Sequence, residues 1–310
     1  MNELNKQETS LGYDDDFAIR DLLAIFQKNQ KWIMGTVFAF FLVSLIFISM
    51  TPNTYRSNAL LSIVDDTEAG GSGFQTMANR YGGLASIAGV SLGQDNDNKT
   101  DFIIATIRSR NFFEHLVNTI DILPTLVASK RYDKDSRKLI LDEEIFDEKK
   151  QSWIIEKPGM EIAHEQYFLN YLTISENNKT GFISLAFEHI SPEFSYEMTK
   201  NILTEANNLV RLQHMEEAAK SLSYLNSALK DTLEIGTKSS ITTLIEAQLK
   251  IQMLTKVREN YILRPIDKPY LPERKFGPSR LKFIALSSIL GLNLSMFFAM
   301  YLHYFSSNKK

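Results

Sequence analysis

Residues 32–50 read WIMGTVFAFFLVSLIFISM, nineteen consecutive residues without a charged side chain. A second stretch, residues 283–304, reads FIALSSILGLNLSMFFAMYLHY and contains no Asp, Glu, Lys or Arg. About 20 helical residues cross a hydrocarbon layer of roughly 30 Å. Helices that are apolar on every side are rare in a domain of this size, which disfavours the alternative of two buried core helices. Both stretches are predicted to be transmembrane helices.

The first apolar stretch is predicted to be an anchor rather than a cleaved signal peptide. Thirty-one residues precede it, the run exceeds the about 7–15 apolar residues of a signal peptide, and no Ala-x-Ala site follows. Six residues follow Tyr304, so no enzyme or signalling module is expected there. The predicted parts are an N-terminal segment (1–31), a first transmembrane helix (32–50), a domain (51–282), a second transmembrane helix (283–304) and a tail (305–310).

Composition excludes several classes of function. The 310-residue chain has no cysteine, which rules out disulfides, thiol catalysis and zinc sites built on cysteine. A net charge of −3 gives no basic field for nucleic acid, so no nucleic-acid partner is expected. Basic residues flank the spans almost equally on both sides, and long domains translocate largely regardless of charge. Charge therefore leaves the orientation in the membrane open.

Before the first span, residues 17–32 read FAIRDLLAIFQKNQKW. One apolar stripe at helical spacing consists of Ile19, Leu22, Leu23 and Phe26. Beside a membrane span this pattern indicates an amphipathic helix at the interface. A plain helical lead into the span is the equally weighted alternative.

Between the spans the pattern alternates between strands and helices. Residues 55–64 are predicted to be a strand, and residues 100–120 a helix that starts at Thr100 or Asp101. The charge-rich residues 130–151 are expected to form a solvated loop or helix. Residues 171–176 and 182–188 alternate as two strands of a hairpin around an Asn-Asn-Lys-Thr-Gly turn.

Long helices are predicted over about residues 192–262. Ser191 is a natural cap, Pro192 suits the first helical position, and Gly236 is expected to break the pattern into two helices. A heptad-like seam on the first of them contains Met215, Ala218, Leu222, Leu225 and Leu229. Four prolines then predict an extended tether over residues 264–280, namely Pro265, Pro269, Pro272 and Pro278.

No motif for catalysis, a cofactor or a metal is found. The glycine patch at residues 70–93, which includes Gly82, Gly83, Gly89 and Gly93, lacks the lysine of a phosphate-binding loop and the spacing of a dinucleotide fingerprint. The alternative to a nucleotide-binding site is that the glycine patch is a flexible loop. The five histidines lack the spacing of metal ligands, and no Gly-x-Ser-x-Gly elbow is present. The chain is expected to be no enzyme and to need no cofactor.

Small residues recur four apart within the spans, a spacing that lets helix backbones approach closely. They are Gly35 and Ala39 in the first span and Gly291, Ser295 and Ala299 in the second. Asn293 lies beside them, and its amide would be costly if it faced lipid. These six residues are the predicted sites of helix packing or of contact with a membrane partner.

The order of these features resembles the Wzz family of polysaccharide chain-length determinants, also called polysaccharide co-polymerases. The resemblance covers essentially the whole chain: the amphipathic lead, a Tyr-Arg-Ser segment after the first span, an IRSR helix (107–110), a long helix, and the proline-rich entry to the second span. The most specific element is Pro269-x-x-Pro272 with Pro278 next to Arg280.

The resemblance implies a two-pass protein of the bacterial inner membrane, with both termini cytoplasmic and residues 51–282 in the periplasm. The implied fold is an α+β domain with a membrane-proximal α/β base and long extended helices. The implied partners are further copies of the chain in a ring, a Wzy-type polymerase, membrane lipid and the growing lipid-linked polysaccharide. The implied function is non-enzymatic control of modal polysaccharide length. In that setting Pro269, Pro272 and Pro278 would set how the domain meets the membrane.

The glycine patch resembles loops of the branch that serves exopolysaccharide and capsule, so the polymer stays open. Lipopolysaccharide O-antigen is the first candidate, and enterobacterial common antigen or capsule is the alternative. The patch, at Gly82, Gly83, Gly89 and Gly93, would be a contact loop for polymerase, lipid or glycan. Two rivals from other classes are a two-span sensor and a periplasmic hydrolase or transferase, for which no carboxylate pair can be named.

Overall fold

The computed structural model describes residue 27, residues 29–64 and residues 96–307. The stripe of Ile19, Leu22, Leu23 and Phe26 and the glycine patch at 70–93 lie outside these residues. The chain divides into two compact units, one from Thr54 to Lys275 and one made of the residues before and after it.

The elements of the described residues follow one another in a fixed order. They are α1 (Gln30–Met50), β1 (Tyr55–Ile63), α2 (Asn96–Arg108), α3 (Arg110–Ile120), α4 (Leu123–Val127), β2 (Ser129–Asp133), β3 (Lys138–Leu141), β4 (Phe146–Asp147), β5 (Ser152–Trp153), α5 (Met160–Ile162), a π-helix (Ala163–Phe168), α6 (Leu169–Tyr171), β6 (Leu172–Asn177), β7 (Phe182–His189), α7 (Pro192–Asp231), α8 (Ile235–Val257), β8 (Leu263–Asp267) and α9 (Arg280–Ser307).

Two of these helices, α1 and α9, are long and apolar enough to cross a membrane. Only 11 % of the apolar window of α1 and 17 % of that of α9 is buried inside the structure. A core helix would be mostly buried, so this exposure disfavours the alternative of two core helices. The two helices flank the domain in the sequence, as in a two-pass membrane protein.

The larger unit is built on a four-stranded antiparallel sheet in the order β6-β7-β1-β8. Alternate residues of β1 are buried, with Tyr55, Ser57, Ala59 and Leu61 on one face. That alternation follows from the two-residue period of a strand with one covered face. Helix α7 packs against β1 and β7, and the core between sheet and helices contains Leu61, Phe112, Phe113, Leu116, Phe168, Leu185, Phe187, Met198 and Ile202. This is the predicted α+β domain with long helices.

On the other face of the sheet, the side chain of Arg56 lies across a neighbouring strand. Asn58, Ala186 and Thr173 are opposite one another on β1, β7 and β6. The Arg56 guanidinium pairs with Glu188 at 3.1 Å and donates to the Thr173 hydroxyl at 2.8 Å. Thr173 is on the strand beyond β7, so Arg56 spans the strand that carries Ala186, which is 2 % exposed.

The predicted hairpin of two strands is confirmed as β6 and β7, joined at Gly181 with φ +67°. The single helix predicted over 100–120 is wrong, because Ser109 separates α2 from α3. The Ser109 hydroxyl accepts a hydrogen bond from the Phe112 N–H at 3.1 Å, which makes it the N-cap of α3. The prediction of a solvated loop or helix over the charge-rich residues 130–151 is wrong. These residues contribute to two short strand pairs, β2 with β3 and β4 with β5.

Helix α7 begins where the sequence predicts. The Ser191 hydroxyl accepts a hydrogen bond from the Phe194 N–H at 3.1 Å, and Pro192 is the first helical residue. Its buried residues up to Val210 are close together in the sequence, and beyond them only Ala218 is buried. The first half of α7 is therefore embedded in the core, and the second half extends past it.

Helix α8 packs against α7, and its buried residues are Ile241, Gln248 and Thr255, seven apart. On α7, Ala218 is buried, Leu222, Leu225 and Leu229 are partly buried, and Met215 is exposed. Two predictions are wrong here. Gly236 lies inside α8, because the break falls at residues 232–234, and the helical region ends at Val257 rather than at about residue 262.

Three side chains of α7 at one-turn intervals bind the segment that follows α8. Asn207 Oδ1 accepts hydrogen bonds from the N–H groups of residues 261, 262 and 263 at 2.9, 2.8 and 3.0 Å. Its Nδ2 donates to the carbonyls of Leu203 and Leu263. Arg211 donates to the carbonyls of residues 258 and 259, just past the end of α8. His214 is hydrogen-bonded to the Tyr261 hydroxyl at 2.7 Å. We call Asn207, Arg211 and His214 the α7 clasp.

The first residues of the predicted tether belong to the sheet. Strand β8 pairs with β1 at the edge of the sheet, and Pro265 is tolerated there because an edge strand leaves one row of backbone groups unpaired. The Ser57 hydroxyl donates to the Tyr270 carbonyl at 2.9 Å, and the Asn58 amide donates to the Tyr270 hydroxyl at 3.2 Å. This part of the tether is therefore bound to the domain.

Replacing Asn207 with alanine is expected to destabilise the domain by about 3 kcal/mol or more, because each unsatisfied buried N–H costs about 1–3 kcal/mol. Asn208→Ala is the matched control, since the Asn208 amide bonds two side chains, donating to the Glu205 carboxylate at 3.2 Å and accepting from the Arg211 guanidinium at 3.5 Å. Its loss should cost about 1 kcal/mol. Thermal unfolding of the detergent-solubilised chain measures both. Equal losses for the two variants would contradict the role given to Asn207.

His189 makes the stability depend on pH. Burial lowers the pKa of His189 to about 3, and its Nδ1 accepts a hydrogen bond from the Ser191 N–H. The unfolded chain takes up the proton near pH 6.5, so stability present above that pH is lost as the pH falls towards 3. At pH 5 the loss from this residue is about 2 kcal/mol. His189→Gln does not titrate, so its stability should fall less between pH 7.5 and pH 5. Identical pH profiles would refute this assignment.

Candidate functional site

The predicted site residues lie in three places. Six are on the span helices α1 and α9, three prolines are in the segment before α9, and the four glycines Gly82, Gly83, Gly89 and Gly93 are outside the described residues. The span helices are described first because their contacts are the most specific.

Helices α1 and α9 pack as an antiparallel pair. The rings of Phe47 and Phe283 stack with centroids 5.5 Å apart, and Gly291 lies against Phe40. Towards the other end, Ser295 and Ala299 line one small cleft together with Ile33 and Thr36. As residue numbers rise along α9 from 283 to 299, the numbers of the residues that they meet on α1 fall from 47 to 33, as expected for antiparallel helices.

Gly291 is in close contact with α1. A Cβ at position 291 would lie 2.9 Å from Phe40 Cβ and 2.9 Å from Phe40 Cγ. These atoms are at the base of the Phe40 side chain, so they cannot move away without moving the helix. Glycine is therefore required where the phenylalanine packs onto α9.

Ser295 and Ala299 continue the same face, with 6 % and 4 % exposure. The residues predicted on the other helix, Gly35 and Ala39, are exposed, and a Cβ at Gly35 would have no atom within 4 Å. Helix α1 instead buries Ser44 and Ile48 and presents Phe40 to Gly291. Sequence reasoning missed these residues, although Ile33, Phe40 and Ser44 lie at helical spacing that could have indicated one face.

Asn293 is exposed, and its Nδ2 donates to the Ile289 carbonyl of its own helix at 2.8 Å. At 100° per residue it lies about 160° around α9 from each of Gly291 and Ser295. The structure therefore does not bring Asn293 into the contact with α1.

The prolines before α9 occupy different settings. Pro272 is buried, Pro269 is partly buried, and the peptide bond before Pro278 is cis. At the start of α9, the Arg280 guanidinium donates to the Asn53 side-chain oxygen at 3.3 Å. This hydrogen bond joins the segment just after α1 to the first residue of α9.

The IRSR segment is a packing motif within the domain. Ile107 is fully buried, and the Arg108 carbonyl accepts a hydrogen bond from His164 Nε2 at 2.8 Å. The Arg110 guanidinium pairs with Glu161 at 2.9 Å and with Glu165 at 3.4 Å. The segment is thereby fixed to α5 and the π-helix.

The carboxylates of the domain are arranged for charge pairing. A hydrogen bond from Lys130 lowers the pKa of Asp142, and backbone N–H groups lower the pKa of Asp147. A general acid needs a raised pKa, and every carboxylate in the described ranges with a displaced pKa has it lowered. Among the residues the structure describes, no group of three acidic or histidine side chains could hold a metal ion.

The helical hairpin of α7 and α8 leaves apolar side chains exposed. On α8, Leu249, Met253 and Val257 recur every four residues with 49, 53 and 75 % exposure. We call these three residues the α8 stripe. Leu233 and Ile235, at the junction of the two helices, are 92 % and 85 % exposed. An exposed apolar row on a helix is typical of an association surface.

Comparisons with known proteins give structural matches only. No protein-family model matches the chain, and no curated protein does. Among solved structures, the chain is similar to a full-length bacterial polysaccharide co-polymerase at 11 % identity, covering 93 % of this chain and 98 % of that one with a TM-score of 0.34. It is also similar to a fragment of WzzB, a polysaccharide co-polymerase from Salmonella Typhimurium, at 14 % identity, covering 73 % and 100 % with a TM-score of 0.32.

Replacing Gly291 with leucine is expected to separate α1 from α9, because its side chain cannot fit against Phe40. Gly35→Leu is the matched control, since that position is open. The chain has no cysteine, so a Phe47→Cys, Phe283→Cys pair gives a clean disulfide reporter in membranes. Oxidation of the pair should fall several-fold with Gly291→Leu and stay unchanged with Gly35→Leu. Equal oxidation in both variants would contradict the packing role.

Proposed function

We propose that this chain is a non-enzymatic regulator of surface polysaccharide length. It acts as an oligomeric co-polymerase of the bacterial inner membrane together with a Wzy-type polymerase. The observation that carries the proposal is the α8 stripe, an exposed apolar row on a helical hairpin whose domain is flanked by two helices that can span a membrane. The order of sequence motifs supports the same function.

The proposed orientation has both termini in the cytoplasm and residues 51–282 in the periplasm, as the sequence resemblance implies. Residues 1–31 and 305–310 are the cytoplasmic ends, and 32–50 and 283–304 are the membrane segments. Pro269, Pro272 and Pro278 set how the domain meets the membrane. The glycine patch, with Gly82, Gly83, Gly89 and Gly93, is a contact loop for polymerase, lipid or the growing lipid-linked glycan.

Copies of the chain assemble in a ring through the hairpins. Burying the α8 stripe removes apolar surface from water at about 25 cal/mol per Å², which favours association of copies through this surface. A ring presents several copies of the span helices to the polymerase at once. Chain length is then set by geometry and contact, with no chemical step on this chain.

The absence of a chemical step is supported by the electrostatics of the domain. Glycan hydrolysis uses two carboxylates across a cleft, one of them protonated near neutral pH. Asp142 and Asp147 have lowered pKa values and lie beside Lys130 and Lys150. They stay ionised and are held by their partners, which supports charge pairing over proton transfer.

The polymer is proposed to be lipopolysaccharide O-antigen, with enterobacterial common antigen and capsule or exopolysaccharide as alternatives. The glycine patch favours the capsule branch, because of its resemblance to loops found there. A two-span sensor is the second alternative, and it predicts a change in signalling with no change in polymer length.

Deleting the chain is expected to leave polysaccharide synthesis intact and to broaden the length distribution. Gels of surface polysaccharide from the deletion strain measure this. Restoring the gene with Met253→Glu should leave the distribution broad, because a charge in the α8 stripe opposes association. Asn226→Glu, at an exposed polar position of α7, is the control and should restore the modal length.

Three outcomes would contradict the proposal. An unchanged modal ladder in the deletion strain would exclude length control. Complete loss of polymer would favour an enzyme. Full restoration by Met253→Glu would exclude the α8 stripe as the surface on which copies assemble. Running the gel separately for each surface polymer identifies which one is controlled.

A further inference from the structure

The segment that leads from β8 to α9 carries a concentration of positive charge. Residues 264–282 contain six basic and two acidic side chains, a net charge of +4, whereas the whole chain has a net charge of −3. The exposed cations of this segment include Lys268, Arg274 and Lys275. We call these three residues the basic row. A local excess of positive charge in an acidic chain favours a negatively charged partner for this segment.

The carboxylates of the domain do not neutralise the basic row. Other cations of the domain are paired, as Lys130 is with Asp142 at 2.9 Å. Among residues 29–64 and 96–307, no carboxylate lies within ion-pairing distance of any member of the basic row. Its charges are therefore available to an anion outside the described part of the chain.

Apolar side chains are exposed in the same segment. Ile266, Tyr270 and Leu271 are 50, 49 and 48 % exposed. The backbone is nevertheless held in place, because Pro272 is buried and two side chains of β1 bond the carbonyl and the hydroxyl of Tyr270. The segment is therefore attached to the sheet while it presents basic and apolar side chains together.

The basic row is close to the second span along the chain. Four residues separate Lys275 from Arg280, where α9 begins, and five extended residue steps cover at most about 18 Å. Phe283 is the first residue of the uncharged stretch. Where α9 crosses a membrane, the end of the basic row is therefore within reach of the membrane surface.

We infer that residues 266–275 bind the surface of the membrane. The basic row contacts the phosphate groups of anionic phospholipids, and Tyr270 and Leu271 lie at the boundary with the acyl chains. Tyrosine is favoured at that boundary because its ring is apolar and its hydroxyl is polar, and Lys and Arg beside a span are attracted to anionic lipids. This binding requires α9 to span the membrane and is independent of whether the chain controls polysaccharide length.

A bilayer surface fits these side chains better than a single soluble phosphate. A phosphate pocket encloses its ligand, whereas the side chains of the basic row are exposed. Lys268 lies six residues before Arg274 in a segment that is neither helix nor strand. A soluble phosphate also leaves the apolar side chains in water. Headgroups next to acyl chains satisfy both kinds of side chain at once.

Lipid selectivity at position 271 of the full-length chain tests this inference. The chain has no cysteine, so Leu271→Cys accepts a single fluorophore in nanodiscs that contain phosphatidylcholine and phosphatidylglycerol. Quenching by spin-labelled phosphatidylglycerol is compared with quenching by spin-labelled phosphatidylcholine. The anionic lipid is expected to quench about fivefold more strongly or better, the contribution of one cation near an anionic surface. Added salt should lower this ratio, because it screens the charges.

Two controls separate lipid binding at this site from general effects. Leu233→Cys, at an exposed leucine past the end of α7, should show no preference between the two lipids. Replacing the basic row with glutamine should bring the ratio at position 271 close to one, through Lys268→Gln, Arg274→Gln and Lys275→Gln. An equal loss of charge from exposed positions of the helical hairpin should leave the ratio unchanged, through Lys230→Gln, Lys238→Gln and Lys256→Gln.

Equal quenching by the two lipids at position 271 would overturn the inference, as would a preference that survives replacement of the basic row. A preference abolished by inorganic pyrophosphate at constant ionic strength would assign the basic row to a soluble phosphate ligand and overturn it as well. The salt dependence of the chain with an intact basic row tests the role of charge separately from any change in folding of the variants.

Discussion

One amide oxygen on α7 binds the segment that leads from α8 into β8. Asn207 Oδ1 accepts three consecutive backbone N–H groups, from residues 261–263, at the point where the chain leaves α8 and enters β8. An extended chain normally presents successive N–H groups to opposite sides, so three on one acceptor define a sharp local path. Because Asn207 is itself embedded in the core through α7, that path fixes where β8 meets β1. Arg211 and His214 extend the attachment one and two turns along the same helix.

The parts of the fold that could be predicted are those in which local sequence and tertiary structure agree. The spans, β1, the β6–β7 hairpin and the start of α7 each have a period or a cap that one element explains. Ser109 was missed because the apolar spacing continues through it from Ile107 to Phe112. Its extended backbone (ψ 154°) and its hydrogen bond with Phe112, which make it a cap, leave no sign in the sequence. Residues 130–151 were missed because two-residue strands such as β4 have too few side chains to show a period. Pro265 suggested a break, but an edge strand accepts it.

For the contact between the spans, the sequence indicated the residues on α9 but not those on α1. Four-residue spacing identified Gly291, Ser295 and Ala299, and also indicated Gly35 and Ala39, because the rule assumes small residues on both helices. Here a phenylalanine side chain packs closely against a glycine. In the sequence of an apolar helix, the one large residue that makes such a contact cannot be distinguished from its neighbours. The same reasoning applies to Asn293. Its cost in a membrane is evident from the sequence, but the side of α9 on which it lies follows only from the packing of its neighbours.

Helix α7 extends well beyond the core in which its first half is buried. Its 40 residues are about 60 Å long at 1.5 Å per residue, and its buried contacts are concentrated in the half between Pro192 and Val210. Beyond Val210 the other half of the helix, about 30 Å long, packs against α8. A rotation of α7 by about 5° at Val210 would displace the far end of the helix by roughly 3 Å, about the length of a hydrogen bond. Any tilt of α7 at the sheet would therefore have its largest effect at the junction of α7 and α8, where Leu233 and Ile235 are exposed.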